Sequence, residues 1–92
     1  MKIKSNMQSR RRYLLINGTE ESVNKAILEG LGAIGWAKAS PIFVDVRKDK
    51  KEGEIILAID RKEINNVRSA FELSEENIKV KRVSGTLKGL EK

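Results

Sequence analysis

Apolar residues in this chain come in short runs of two different periods, and the order of those runs is the strongest constraint on what it can fold into. Tyr13 to Ile16 is a continuous apolar run closed by Asn17-Gly18, which predicts a strand buried on both faces or central in a sheet. Thr19 is a candidate helix cap, and Glu20 and Glu21 stand where the positive end of the helix dipole favours acids. Val23, Ala26, Ile27, Leu31 and Ile34 then recur at helical spacing as one face. Gly30 falls on that face, where a missing side chain lets a neighbour pack closely, and Gly35 is the expected stop.

Ile42, Val44 and Val46 alternate with Phe43, Asp45 and Arg47, the period of a second strand. Lys48 to Gly53 is all polar and ends in glycine, as a hairpin loop does. Ile55 to Ile59 is uninterrupted apolar and predicts a central strand. Asp60 caps the second helix and forms a capping-box-like pair with Glu63; Ile64, Val67, Ala70 and Phe71 are its buried stripe. Ile78, Val80 and Val83, separated by Lys79, Lys81 and Arg82, predict a last strand with a basic outer face. The tail SGTLKGLEK follows, with glycines that end regular structure.

Strand, helix, strand, strand, helix, strand is the order of an α+β, ferredoxin-like βαββαβ sandwich. Such a sandwich is a four-stranded antiparallel sheet with two helices on one face, the layout also of the RNA-recognition motif. A chain of 92 residues has room for one core, so residues 10–92 are expected to form a single domain and residues 1–9 a flexible basic arm. In this topology the first strand lies between the third and fourth, antiparallel to both. The start of the first strand then stands beside the end of the last.

Charge gives that juxtaposition its meaning. Nineteen Lys and Arg oppose thirteen Asp and Glu for a net +6, and the excess sits at the ends: +5 over residues 1–12, −3 over 13–76 and +4 over 77–92. The fold brings Arg10, Arg11 and Arg12 toward Arg82, Lys88 and Lys92, merging two clusters into one basic corner suited to phosphates.

Catalytic chemistry is poorly supplied. With no cysteine and no histidine there is no thiolate nucleophile, no disulfide, no cysteine-ligated metal and no imidazole base. The acid pairs Asp45 with Asp49 and Glu52 with Glu54 read as polar hairpin flanks rather than a magnesium site. An acylphosphatase-like loop is rejected, because Asn17-Gly18-Thr19 holds one glycine and is followed by two acids. Base stacking on the sheet is disfavoured too: the third strand has no aromatic and the first has only Tyr13. Ser84, Gly85 and Thr86 are weighed as a backbone-amide nest against an ordinary strand end. No run reaches the length of a membrane span, so a soluble cytoplasmic domain is expected.

Three segments together resemble the ribonuclease P protein component 2 family, the archaeal relative of a subunit of eukaryotic ribonuclease P and MRP. They are RRRYLL in the first strand, GLGAIGWAKASPIFVDV from the helix end into the second strand, and NNVRSAF with KVKRVSGTLKGLEK toward the end. The resemblance runs over roughly residues 10–90, strongest at Gly32, Gly35, Ala37, Lys38 and Ala39 and at Val83-Ser84-Gly85-Thr86. The chain is shorter than many members. The resemblance implies a non-catalytic subunit of the enzyme that removes 5′ leaders from precursor tRNA, with the RNA subunit and its Mg2+ performing the cleavage and no cofactor held by the chain itself. It also implies ribonuclease P RNA and protein component 3 as partners, a heterotetramer with component 3, and indirect contact with precursor tRNA.

On this reading Arg10, Arg11, Arg12, Arg82 and Lys88, with Lys38 as a weaker member, neutralise phosphates of folded RNA. Gly32, Gly35, Trp36 and Phe43 are the expected partner surface. The alternatives are a ferredoxin-like interaction or ligand-binding module that regulates by oligomerising, and a general basic RNA- or DNA-binding protein.

Overall fold

The computed structural model describes residues 11–44 and 53–91. In chain order it contains β1 (Arg11–Asn17), α1 (Glu20–Ala39), β2 (Ile42–Val44), β3 (Glu54–Asp60), a 3₁₀ turn (Arg61–Glu63), α2 (Ile64–Leu73), β4 (Lys79–Ser84) and a second 3₁₀ turn (Lys88–Glu91). The sheet order is β2-β3-β1-β4, with every neighbouring pair antiparallel. This is the ferredoxin-like layout, with β1 between β3 and β4 as the segment order requires. The arm expected over residues 1–9, Val46 and Arg47 of the second strand, and most of the Lys48–Gly53 loop lie outside the described residues.

Alternation along the two central strands assigns their side chains to two faces. Leu14, Ile16, Leu57 and Ile59 point to one side and pack with Val23, Ala26, Ile27, Ala39, Val67 and Phe71 of the helices. Leu15 and Ile56 point to the other side, where they form a second buried cluster with Leu90. Leu87, Tyr13 and Val44 pack around that cluster. The tail therefore does not simply trail off after β4. It folds back as a 3₁₀ turn that lays Leu90 on the sheet face opposite the helices, leaving it 2 % exposed.

Helix α1 starts as its sequence predicts, with Thr19 Oγ1 accepting from the Ser22 N–H at 3.1 Å. It does not stop at Gly35. Gly32 takes a non-helical conformation (φ 76°, ψ 176°) that kinks the helix, which then runs to Ala39. Ser40 closes it in the left-handed region, its N–H donating to the carbonyls of Trp36 and Ala37. The kink resets the phase of the apolar face: Ile34, expected in the core, is 76 % exposed, while Ala39 is buried and Trp36 packs against the core. Gly30 meets its expectation, since a Cβ there would stand 2.6 Å from Ala70 Cβ of α2.

At the second helix, Asp60 Oδ1 accepts from the Lys62 N–H at 2.9 Å and caps the 3₁₀ turn that leads into α2. The box with Glu63 does not form, because the Glu63 carboxylate takes a hydrogen bond from Asn66 Nδ2 and the intervening turn is 3₁₀. Strand β4 carries one extra residue: Leu15 pairs with Arg82 but Ile16 pairs with Val80. The bulge at Lys81 explains why Val80 and Val83, separated by two residues, both pair with the helix-facing residues Ile16 and Leu14.

Gly30→Val should cost about 1–3 kcal/mol by overpacking the α1–α2 crossing, measured by urea denaturation. Gly32→Ala has open space around it and should cost about 1–3 kcal/mol through backbone strain alone. Equal stability of Gly30→Val and the parent chain would show that the helices do not touch there.

Candidate nucleic-acid interface

Successive residues of a strand face opposite sides, so the arginines that open β1 part company. Arg11, paired with Asp60, lies on the tail-covered side. Its Nη1 donates to the Ser40 carbonyl at 2.9 Å and to the Ala58 carbonyl at 3.4 Å, and Nη2 donates to Ser40 Oγ at 3.4 Å. A guanidinium at the C-terminal end of α1 also meets the negative end of its dipole. Much of the hydrogen-bonding capacity of Arg11 is thus spent stitching α1 to β3.

Arg12 projects to the other side, where Nη1 donates to the Arg11 carbonyl at 3.2 Å. Its guanidinium lies against Gly85, at 3.5 Å from the place a Cβ would occupy. The start of β1 and the end of β4 therefore do meet, at Arg12 and Gly85. Arg10 and Lys92 lie outside the described residues.

Arg82 is exposed and paired with Leu15, on the side of the sheet that the tail covers. Lys88 is exposed on the 3₁₀ turn that forms that cover. Lys38 is exposed in the last turn of α1, at its C-terminal end with Ser40.

The ion pairs among the described residues are Lys25 with Glu76 at 3.4 Å and Lys81 with Glu54 at 2.5 Å. Arg12, Arg82, Lys88 and Lys38 thus have no carboxylate at contact distance among the described residues. Lys81 is different. The bulge turns it across β1 to the buried carboxylate of Glu54, so it is a structural cation that the sequence could not separate from its neighbours. Asp45, Asp49 and Glu52 lie outside the described residues, and among the described ones no group of three acids clusters in a way that could hold a metal ion.

Of the amides weighed as a nest, that of Thr86 is already taken: Ser84 Oγ accepts from the Thr86 N–H at 3.2 Å, and Thr86 Oγ1 accepts from the Gly89 N–H at 3.1 Å. A groove of about 960 Å3 between α2 and β4 carries Arg68 and Lys79 but also Glu72 and Glu76, and so presents no field of one sign.

Of the residues expected to meet a protein partner, Gly32 is exposed and Gly35, Trp36 and Phe43 are half-buried. Trp36 packs against the helix-side core, its Nε1 donating to Asn24 Oδ1 at 3.2 Å, and Phe43 packs against the same core. Gly35 lies under Leu31, and Gly32 makes the kink with nothing around it. The kinked helix displays Ile34 instead, along with Leu28 at 44 % exposure. No helix among the described residues is long and apolar enough to cross a membrane. Compared with known protein families and with curated proteins, the chain matches none.

Structural and available cations should separate experimentally. Lys81→Ala is expected to cost about 1–3 kcal/mol by removing a partner of the buried Glu54 carboxylate, with little effect on RNA affinity. Arg82→Ala should leave stability within about 0.5 kcal/mol and weaken RNA binding. Denaturation and filter binding on the same two variants check both halves.

Proposed function

We propose that this chain is a non-catalytic, RNA-binding protein subunit of ribonuclease P, supporting the catalytic RNA in 5′-leader removal from precursor tRNA. The observation that carries the reading is the pair of exposed cations Arg82 and Lys88, without carboxylate neighbours among the described residues, on the tail-covered side of a ferredoxin-like sheet, with the half-buried Arg12 beside Gly85 at the end of β4. Such a surface suits the phosphate backbone of folded RNA, where contacts position the protein with little base reading. The three segments resembling ribonuclease P protein component 2 select this RNA among structured RNAs. A chain without histidine or cysteine fits a division of labour in which RNA and its Mg2+ perform the cleavage.

In this reading the protein works in the cytoplasm and pairs with protein component 3 in a heterotetramer. Ile34 and Leu28 on α1, like Leu73 at the end of α2 and Ile42 on β2, are exposed apolar residues that a protein partner could cover. The exposed pair on α1 favours one second reading, a module that associates through α1 without RNA.

The deciding test is reconstitution of cognate ribonuclease P RNA with component 3, with and without this chain, at moderate Mg2+. Precursor-tRNA cleavage should rise strongly only when both proteins are present. Failure to co-elute with component 3 and no gain in cleavage would overturn the assignment, and RNA-free self-association lost in Ile34→Asp would favour the module. Binding to the RNA should weaken linearly with log salt. Arg82→Ala and Lys88→Ala should each lower that slope by about one.

A further inference from the structure

The tail is the least expected element of this fold, and its packing has a specific form. Leu90 forms a buried cluster with Leu15 and Ile56, against which Leu87, three residues earlier, packs along with Tyr13 and Val44, and Leu90 is as buried as the central core. Gly89 between them is in tight contact with the end of β4. A Cβ there would fall 2.1 Å from Ser84 Oγ and 3.1 Å from Ser84 Cβ. The hydroxyls of Ser84 and Thr86 hold the turn by accepting from the Thr86 and Gly89 amides. Two apolar anchors, a glycine that admits close approach and two hydroxyl caps thus set the six-residue segment Gly85 to Leu90 in one place on the sheet.

Two consequences follow for a nucleic acid. First, Leu90 buries Leu15 and Ile56, and Tyr13, the sole aromatic of β1 and β3, packs half-buried against the same cluster, on the face where unpaired bases would stack. Second, the segment places the exposed cation Lys88 over the face on which Arg82 is also exposed. A surface for bases is exchanged for one that meets phosphates.

We propose that the segment from Gly85 to Leu90 is the specificity determinant of this interface, selecting double-stranded RNA over single-stranded RNA. The inference rests on the RNA-binding reading above and adds the positioning residues Leu87, Gly89 and Leu90, which touch no RNA themselves. With the segment seated, the sheet face carries the exposed cations Arg82 and Lys88 and keeps Leu15 and Ile56 buried. With it lifted, Leu15, Ile56 and more of Tyr13 are exposed and Lys88 loses its fixed place.

The test compares the parent chain with Gly89→Val, Leu90→Ala and Lys88→Ala. The probes are a blunt RNA duplex of about 16 base pairs and an oligouridylate of about 12 nucleotides, titrated over a salt series. The parent should prefer the duplex. Gly89→Val and Leu90→Ala should lower the duplex salt slope by about one as Lys88 leaves its place. They should also raise oligouridylate affinity about tenfold, the size of one base gaining an aromatic face. Lys88→Ala should lower the duplex slope without the gain on oligouridylate.

The helix-side cluster contains neither tail residue, so circular dichroism should show the variants folded. If Gly89→Val unfolds, Leu90→Ala carries the same comparison. Folded tail variants that keep the parent's duplex preference would overturn the inference while leaving RNA binding intact. A parent chain that binds neither probe would overturn the RNA-binding reading itself, and this inference with it.

Discussion

Apolar side chains on both faces of the two central strands are the constraint on which the rest of this structure depends. Leu14, Ile16, Leu57 and Ile59 are covered by the helices, but Leu15 and Ile56 face away from them and are equally buried. A sheet with helices on one side leaves its other face to water, and each large aliphatic residue left there would forgo about 1.5–3 kcal/mol of burial. The chain meets this demand with its own tail. Leu87 and Leu90 form a third layer one turn thick, so the domain is a covered sandwich rather than a two-layer one.

Covering the centre of the sheet sends the charges to its ends and edges. There the cations divide by what they already hold. Arg11 ties the end of α1 to β3, and Lys81 answers a buried carboxylate across the sheet, so both belong to the architecture. Arg12, Arg82, Lys88 and Lys38 are held by no acid among the described residues and can exchange water and counterions for phosphate. Net charge alone treats all of these residues alike; hydrogen bonding separates them.

The helix α1 shows a second division, between packing and display. Gly30 permits α1 and α2 to touch through backbone and Ala70, which fixes the first half of the helix against the core. Gly32 then breaks the helical phase, and the second half turns Trp36 and Ala39 inward and Ile34 outward. A single glycine at positive φ thus converts one long amphipathic helix into a packed half and a half that exposes the apolar Ile34.

Local signals in the sequence determined the element order, the strand positions, the Thr19 cap, the Gly30 contact and the fold class, because each depends on spacing or on near neighbours. The union of Arg12 with the end of β4 followed from topology alone. Three features were decided only by tertiary structure. The Gly32 kink depends on a backbone conformation that helical periodicity does not encode. The β4 bulge was signalled by the odd interval between Val80 and Val83, but its purpose, bringing Lys81 to Glu54, needed a residue 27 positions away. The tail was signalled by an imbalance: Tyr13–Ile16 and Ile55–Ile59 are apolar on both faces, two helices can cover only one, and Leu87 and Leu90 were the apolar residues left over. Burial on the second face is a long-range requirement, satisfied by whichever segment the closed chain brings within reach, so the sequence shows the need but only the formed sheet decides which segment meets it.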